Sequence, residues 1–149
     1  MNPFDIKAAL FAKHAQHVVL IHFPIALFIA GAVFDYLAQA TKKRVFEAVA
    51  YYNVIGAAIS ALPVVATGLL AWQWQLEGQK LKGILLMHLV LGCTSTILIW
   101  LVLWSHVRAR RQAQQSFPLF RLAVETLGVG IVGLTGHLGG FLSGVNAPG

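Results

Sequence analysis

VVLIHFPIALFIAGAVFDYLAQA, residues 18–40, holds one histidine, one aspartate and, near its end, one glutamine in a predominantly apolar run. As an α-helix rising 1.5 Å per residue it would reach about 34 Å, enough to cross a hydrocarbon core of about 30 Å. Thr41-Lys42-Lys43-Arg44 ends it. Three more runs of the same kind follow, at about 48–72, 83–107 and 118–142. Trp72, Trp74 and the polar stretch Gln73 to Lys82 mark a membrane interface and a loop after the second. Arg108, Arg110 and Arg111 close the third, and Pro118 suits the first turn of the fourth. Strands of a membrane barrel would be shorter and would alternate in polarity. The expected fold is therefore all-α: one transmembrane domain, residues 1–149, folded as an up-down four-helix bundle. No internal repeat or low-complexity segment is evident. Residues 143–149 read as a short loose tail.

Composition agrees. Of the 149 residues, 58% are hydrophobic and 11% charged, against about 25% charged in soluble domains. The net charge of +6 is held in the gaps between apolar runs, which is topology control rather than nucleic-acid binding. The loops after spans one and three, with Arg121, hold seven of the 11 Lys and Arg residues. That excess places them in the cytoplasm of a bacterial inner membrane, with both termini and the Trp72–Lys82 loop periplasmic. The stretch Phe4 to Gln16 lacks the order of a signal peptide. It reads equally as an interfacial helix, a docking arm or a frayed end. Cys93, the only cysteine, excludes disulfide frameworks, cysteine zinc clusters and covalent c-type haem attachment.

Ionisable residues inside a span are costly and need a reason. His22, His88 and His137 lie on spans one, three and four, all within the outward leaflet and at similar depth. A small residue follows one turn deeper on the first two, Ala26 and Gly92. Span four carries Thr126, Gly130, Gly133, His137, Gly140 and Gly144 on one helical face. Such a stripe serves close helix packing or clearance for a flat cofactor. Neutral imidazoles bind haem iron, and four-helix bundles hold cofactors between facing helices. The expectation is haem b, one group or two, with His22 and His88 as the axial pair. His137 is a third wall residue or alternative ligand, and Ala26, Gly92, Gly133 and Gly140 give clearance. The competing metal reading is copper or zinc on His22, His88 and His137. His17, at the membrane surface, is expected to be solvated, with a propionate or metal as its alternative, and His106 to be an interface residue. Asp35 and Glu125 are expected to pair with nearby basic residues.

His22-Phe23-Pro24-Ile25-Ala26-Leu27, with Asp35 a few turns on, resembles the opening of a bacterial four-helix membrane family, domain of unknown function 2231. Thr135-Gly136-His137-Leu138-Gly139-Gly140 is similar to its closing motif, and Thr67-Gly68-Leu69-Leu70-Ala71 and His88 with Gly92 fit its middle helices. The resemblance spans roughly residues 17–144. Family members often open on His-Pro, where this chain has His17-Val18. They often continue the closing motif into a charged stretch, where this chain has Phe141-Leu142-Ser143-Gly144. Fusions of relatives to c-type cytochrome domains imply a redox setting.

No catalytic triad, phosphate loop or pair of active-site carboxylates is present, so the chain is not expected to be an enzyme by itself. The leading expectation is a b-type cytochrome-like electron-transfer subunit of a larger respiratory or photosynthetic complex in the lipid membrane, with quinone and a c-type cytochrome as candidate partners. The alternatives are a non-redox accessory subunit and, last, a small transporter, since paired broken helices are lacking.

Overall fold

The computed structural model describes residues 15–74, 76–111 and 119–144. The residues of the Phe4–Gln16 stretch up to His14, and Pro118, lie outside the described residues. Among the described residues five helices follow one another: α1 (Ala15–Leu20), α2 (His22–Thr41), α3 (Arg44–Trp74), α4 (Gly83–Arg111) and α5 (Leu119–Leu142). The first two form one span from Gln16 to Thr41, giving four helices long and apolar enough to cross a membrane. Among the described residues there are no strands.

Pro24 explains why the first span is two helices. Its nitrogen cannot donate to the Leu20 carbonyl, and its ring crowds that group. The helix is accordingly interrupted at Ile21 and resumes at once. At the other end Lys42 takes a left-handed conformation (φ 57°) and returns its N–H to the Ala38 carbonyl, stopping α2. Pro63 lies inside α3 without ending it.

The buried residues follow a seam whose steps are mostly three or four, the spacing of left-handed helix packing. On α2 it is Pro24, Phe28, Gly31 and Asp35; on α3, Ala50, Val54, Ala57 and Ala61. On α4 it is Ser95, Ile99, Val102 and His106; on α5, Arg121, Glu125, Gly128 and Val132. Small residues let backbones close up: a Cβ on Gly31 would sit 2.8 Å from Val54, and one on Gly128 would sit 2.9 Å from the Phe28 ring. Outside the seam, Leu119, Phe120 and Tyr52 are among many exposed apolar side chains. For a chain in lipid that is the expected surface.

These lists contain an internal repeat that the residue types conceal. Pro24, Phe28, Gly31, Asp35, Ala50, Val54, Ala57 and Ala61 map, at a constant offset of 71, onto Ser95, Ile99, Val102, His106, Arg121, Glu125, Gly128 and Val132, and every member of both sets is buried. The closest pairings, α2 with α3 and α4 with α5, map onto each other in the same way. Spans one and three run in the same direction, so this is a parallel repeat. Position along the seam is kept while side-chain identity is almost wholly lost. That is why no repeat is evident from the sequence.

Candidate functional site

Eighteen residues separate His17 from Asp35 on span one, and His88 from His106 on span three. Eighteen residues of helix rise about 27 Å. The seam therefore carries a polar layer at each end, near the two edges of a hydrocarbon core, with an apolar plug between them. Phe28, Val54, Ala57, Ala58, Ile99, Val102 and Val132 form the plug.

At the first end, His17 donates from Nδ1 to the Val64 carbonyl at 3.1 Å and lies 3.2 Å from the Thr67 hydroxyl. His88 donates from Nδ1 to the Thr135 carbonyl at 3.0 Å. Carbonyl oxygens only accept, so Nδ1 carries the proton on both rings and Nε2 keeps its lone pair. Four residues beyond each acceptor stands a glycine. A Cβ on Gly68 would meet His17 Cε1 at 3.0 Å, and one on Gly139 would meet His88 Cε1 at 3.1 Å. The two arrangements are copies at the offset of 71: His17 and His88, Val64 and Thr135, Gly68 and Gly139. Glycine lets the ring lie close against the turn whose carbonyl it caps; a Cβ there would press on the ring.

The two rings meet edge-on, with centroids 6.4 Å apart and planes at 89°. Both line a cavity of about 360 Å³, within the usual size of ligand sites. Its walls repeat too: Ile21 with Gly92, Pro24 with Ser95, Ala61 with Val132. Leu76 and Leu81, in the loop after α3, help close it, and Trp72 steadies that loop by donating from Nε1 to the Gln79 carbonyl at 2.9 Å.

The residues anticipated as a site are dispersed by this geometry. His88, Gly92 and Gly140 line the cavity. His22 also borders it but is exposed, its Nδ1 3.4 Å from the Val19 carbonyl. Among the described residues His137 is exposed beside Phe141, with ring centroids 5.0 Å apart. Neither His137, Ala26 nor Gly133 is part of the lining, and a Cβ on Gly133 would meet nothing within 4 Å. Depth alone puts His22, His88 and His137 in one layer, but His22 precedes Pro24 by two residues and His137 follows Thr135 by two. His22 is thus about 200° around the helix from the seam, and His137, five residues beyond Val132, about 140°. His17, seven residues before Pro24, is on it.

At the second end Asp35, His106, Arg121 and Glu125 are buried together. His106 Nε2 lies 2.8 Å from Asp35 Oδ2 and 3.5 Å from Glu125 Oε1. Arg121 Nη2 donates to Asp35 Oδ1 at 3.3 Å, and its Nε is 3.7 Å from Glu125 Oε1. The expected pairing of the two acids with a basic residue is present through Arg121. His106, expected at the interface, is 1% exposed. Its ring is 6.0 Å from that of Tyr51, over which Arg110 sits at 4.0 Å. The shared 18-residue spacing on spans one and three is a signal for Asp35 and His106 only, not for the two residues of α5.

The bundle, its two polar layers and its length agree with one family comparison. The model of DUF2231, described as a predicted membrane protein, matches residues 13–146. No curated protein and no solved structure gives a match. The chain is a multi-pass membrane protein, and it belongs to the DUF2231 family.

Proposed function

We propose that the chain is a b-type cytochrome-like electron-transfer subunit, holding haem b between His17 and His88. One observation carries this reading: two imidazoles, each fixed through Nδ1 to a carbonyl of the neighbouring helix, stand 6.4 Å apart across a cavity. Fixing Nδ1 in this way sets the tautomer and turns Nε2 into the ligand atom. Two rings bound to one metal through nitrogens at about 2 Å each have centroids about 6 Å apart. The lining is apolar around its few polar groups, as cofactor pockets are. Bound haem would supply one-electron chemistry. The protein's own part is to hold both rings, keep water from the ligand atoms and insulate the site from the far end by the Phe28 plug.

The excess of positive charge in the opposite loops supports a histidine end facing outward in a bacterial inner membrane, with both termini on that side. Loops this short leave a larger redox complex as the natural setting, with quinone and a c-type cytochrome as electron partners. Copper or zinc on the same histidines, with His22 at the rim, is the metal alternative. A second reading rests on the outer face of α5. Among the described residues Gly130 and Gly133 have open space where a side chain would stand. Such a face suits another membrane helix and would make the chain a non-redox accessory subunit.

The test is the visible spectrum of the chain purified in mild detergent, oxidised and then dithionite-reduced. The expected result is a sharp Soret band and the reduced α band of six-coordinate haem b. A colourless, fully helical protein after haem is supplied would remove the cytochrome reading and leave metal analysis to separate the other two.

A further inference from the structure

We propose that Asp35, His106 and Glu125 form a site for one divalent transition-metal ion, independent of the histidine pair at the other end. One ligand atom from each lies within 4.8 Å of the others, and all three residues are buried. His106 and Asp35 approach to 2.8 Å, yet the ring N–H does not point at the oxygen. Among the described residues His106 Nε2, Asp35 Oδ2 and both oxygens of Glu125 have no hydrogen-bond partner. Four buried polar atoms without a hydrogen bond are costly at this depth. An imidazolium closing an ion quartet would align its N–H with a carboxylate. One candidate ligand atom from each of three spans, all within reach of one point, is the arrangement that a cation needs.

Distances and chemistry agree. Ligand atoms bound at about 2.0–2.2 Å to one ion sit roughly 3–3.5 Å apart, and His106 Nε2 lies 2.8 and 3.5 Å from its two neighbours. One imidazole nitrogen with two carboxylate oxygens is a mixed set that suits zinc, iron(II) or manganese(II). Arg121 holds the other oxygen of Asp35 at 3.3 Å, the outer contact that orients a ligating carboxylate. The ligands come from α2, α4 and α5, so the ion would clamp three spans at one end of the bundle. In the repeat, Val54 stands where Glu125 does and Ala50 where Arg121 does. The site therefore occurs once, off the repeat's symmetry.

The experiment uses the full chain with a tag free of histidine, equilibrated in detergent with Zn²⁺ or Mn²⁺, desalted and analysed for metal. About one equivalent per chain is expected, falling about tenfold or more in Asp35→Asn and in Glu125→Gln. The double variant His17→Ala/His88→Ala keeps its equivalent, so loss of the cofactor pair and loss of this site are read separately. Co²⁺ bound to that double variant should give visible d–d bands from nitrogen and oxygen ligands, a readout that does not depend on the acid variants folding. A chain that retains neither ion and gives no Co²⁺ bands overturns the proposal, as does metal retained undiminished in both acid variants.

Discussion

At the His17 end of the seam, residues related by the 71-residue offset are alike: histidine matches histidine, a carbonyl acceptor matches a carbonyl acceptor, and glycine matches glycine. At the Asp35 end they are unlike: aspartate matches histidine, alanine matches arginine, and valine matches glutamate. The first end is open and lined for a ligand seated between equivalent helices. The second is closed, with two acids, a histidine and an arginine gathered at 2.8–3.7 Å from one another. Two like imidazoles bordering one cavity suit a ligand with two equivalent coordination sites, whereas an acid–base set in lipid must be closed to hold its charges. Repetition of backbone position, with divergence of the polar residues, gives one bundle two different ends.

The sharpest break of this contrast is at the closed end. Arg121→Leu leaves Asp35 and Glu125 without their guanidinium and should cost about 3–5 kcal/mol, read by SDS unfolding in mixed micelles. His17→Ala, at the open end, should cost much less, because Val64 keeps its intrahelical partner. Equal losses would erase the distinction between the two ends. The plug comes next. Gly128→Leu drives a side chain into the Phe28 ring and should destabilise by about 1–3 kcal/mol, with a lower thermal midpoint in detergent. An unshifted midpoint would mean that Phe28 has room to move.

Smaller effects sharpen the account of how the rings are held. Thr67→Val removes one of two acceptors for His17 and should cost about 0.5–1.5 kcal/mol, while leaving His88 untouched. Its readout is unfolding together with the imidazole resonances of the two histidines. A change at His88 alone would contradict the assignment. Smallest is Gly130→Leu, on the open face of α5, which should shift the isolated chain by no more than about 0.5 kcal/mol. A large loss there would place that face in contact with another helix of a self-associated chain.

Length, hydropathy and loop charge made the four spans legible, because crossing a membrane demands long apolar helices and little else. Depth was legible in part: His22 and His88 border the same cavity as His17. Azimuth was not, since two residues move a side chain about 200° around a helix, and only the packed seam shows which histidines face inward. His17 was hidden by its place at the start of the first span, where a solvated role is the ordinary one. The Asp35–His106–Glu125 cluster was hidden because its members lie on three different spans, more than 70 residues apart from first to last. The repeat was hidden because only a few residues, among them His17 and His88, keep their identity across it.

The central claim is that His17 and His88 are the paired ligands, and single histidine substitutions read by spectrum test it most directly. His17→Ala and His88→Ala, purified with haem supplied, should each lose the six-coordinate reduced α band. His22→Ala and His137→Ala should keep it. A band that survives His17→Ala and disappears with His22→Ala or His137→Ala would contradict the account.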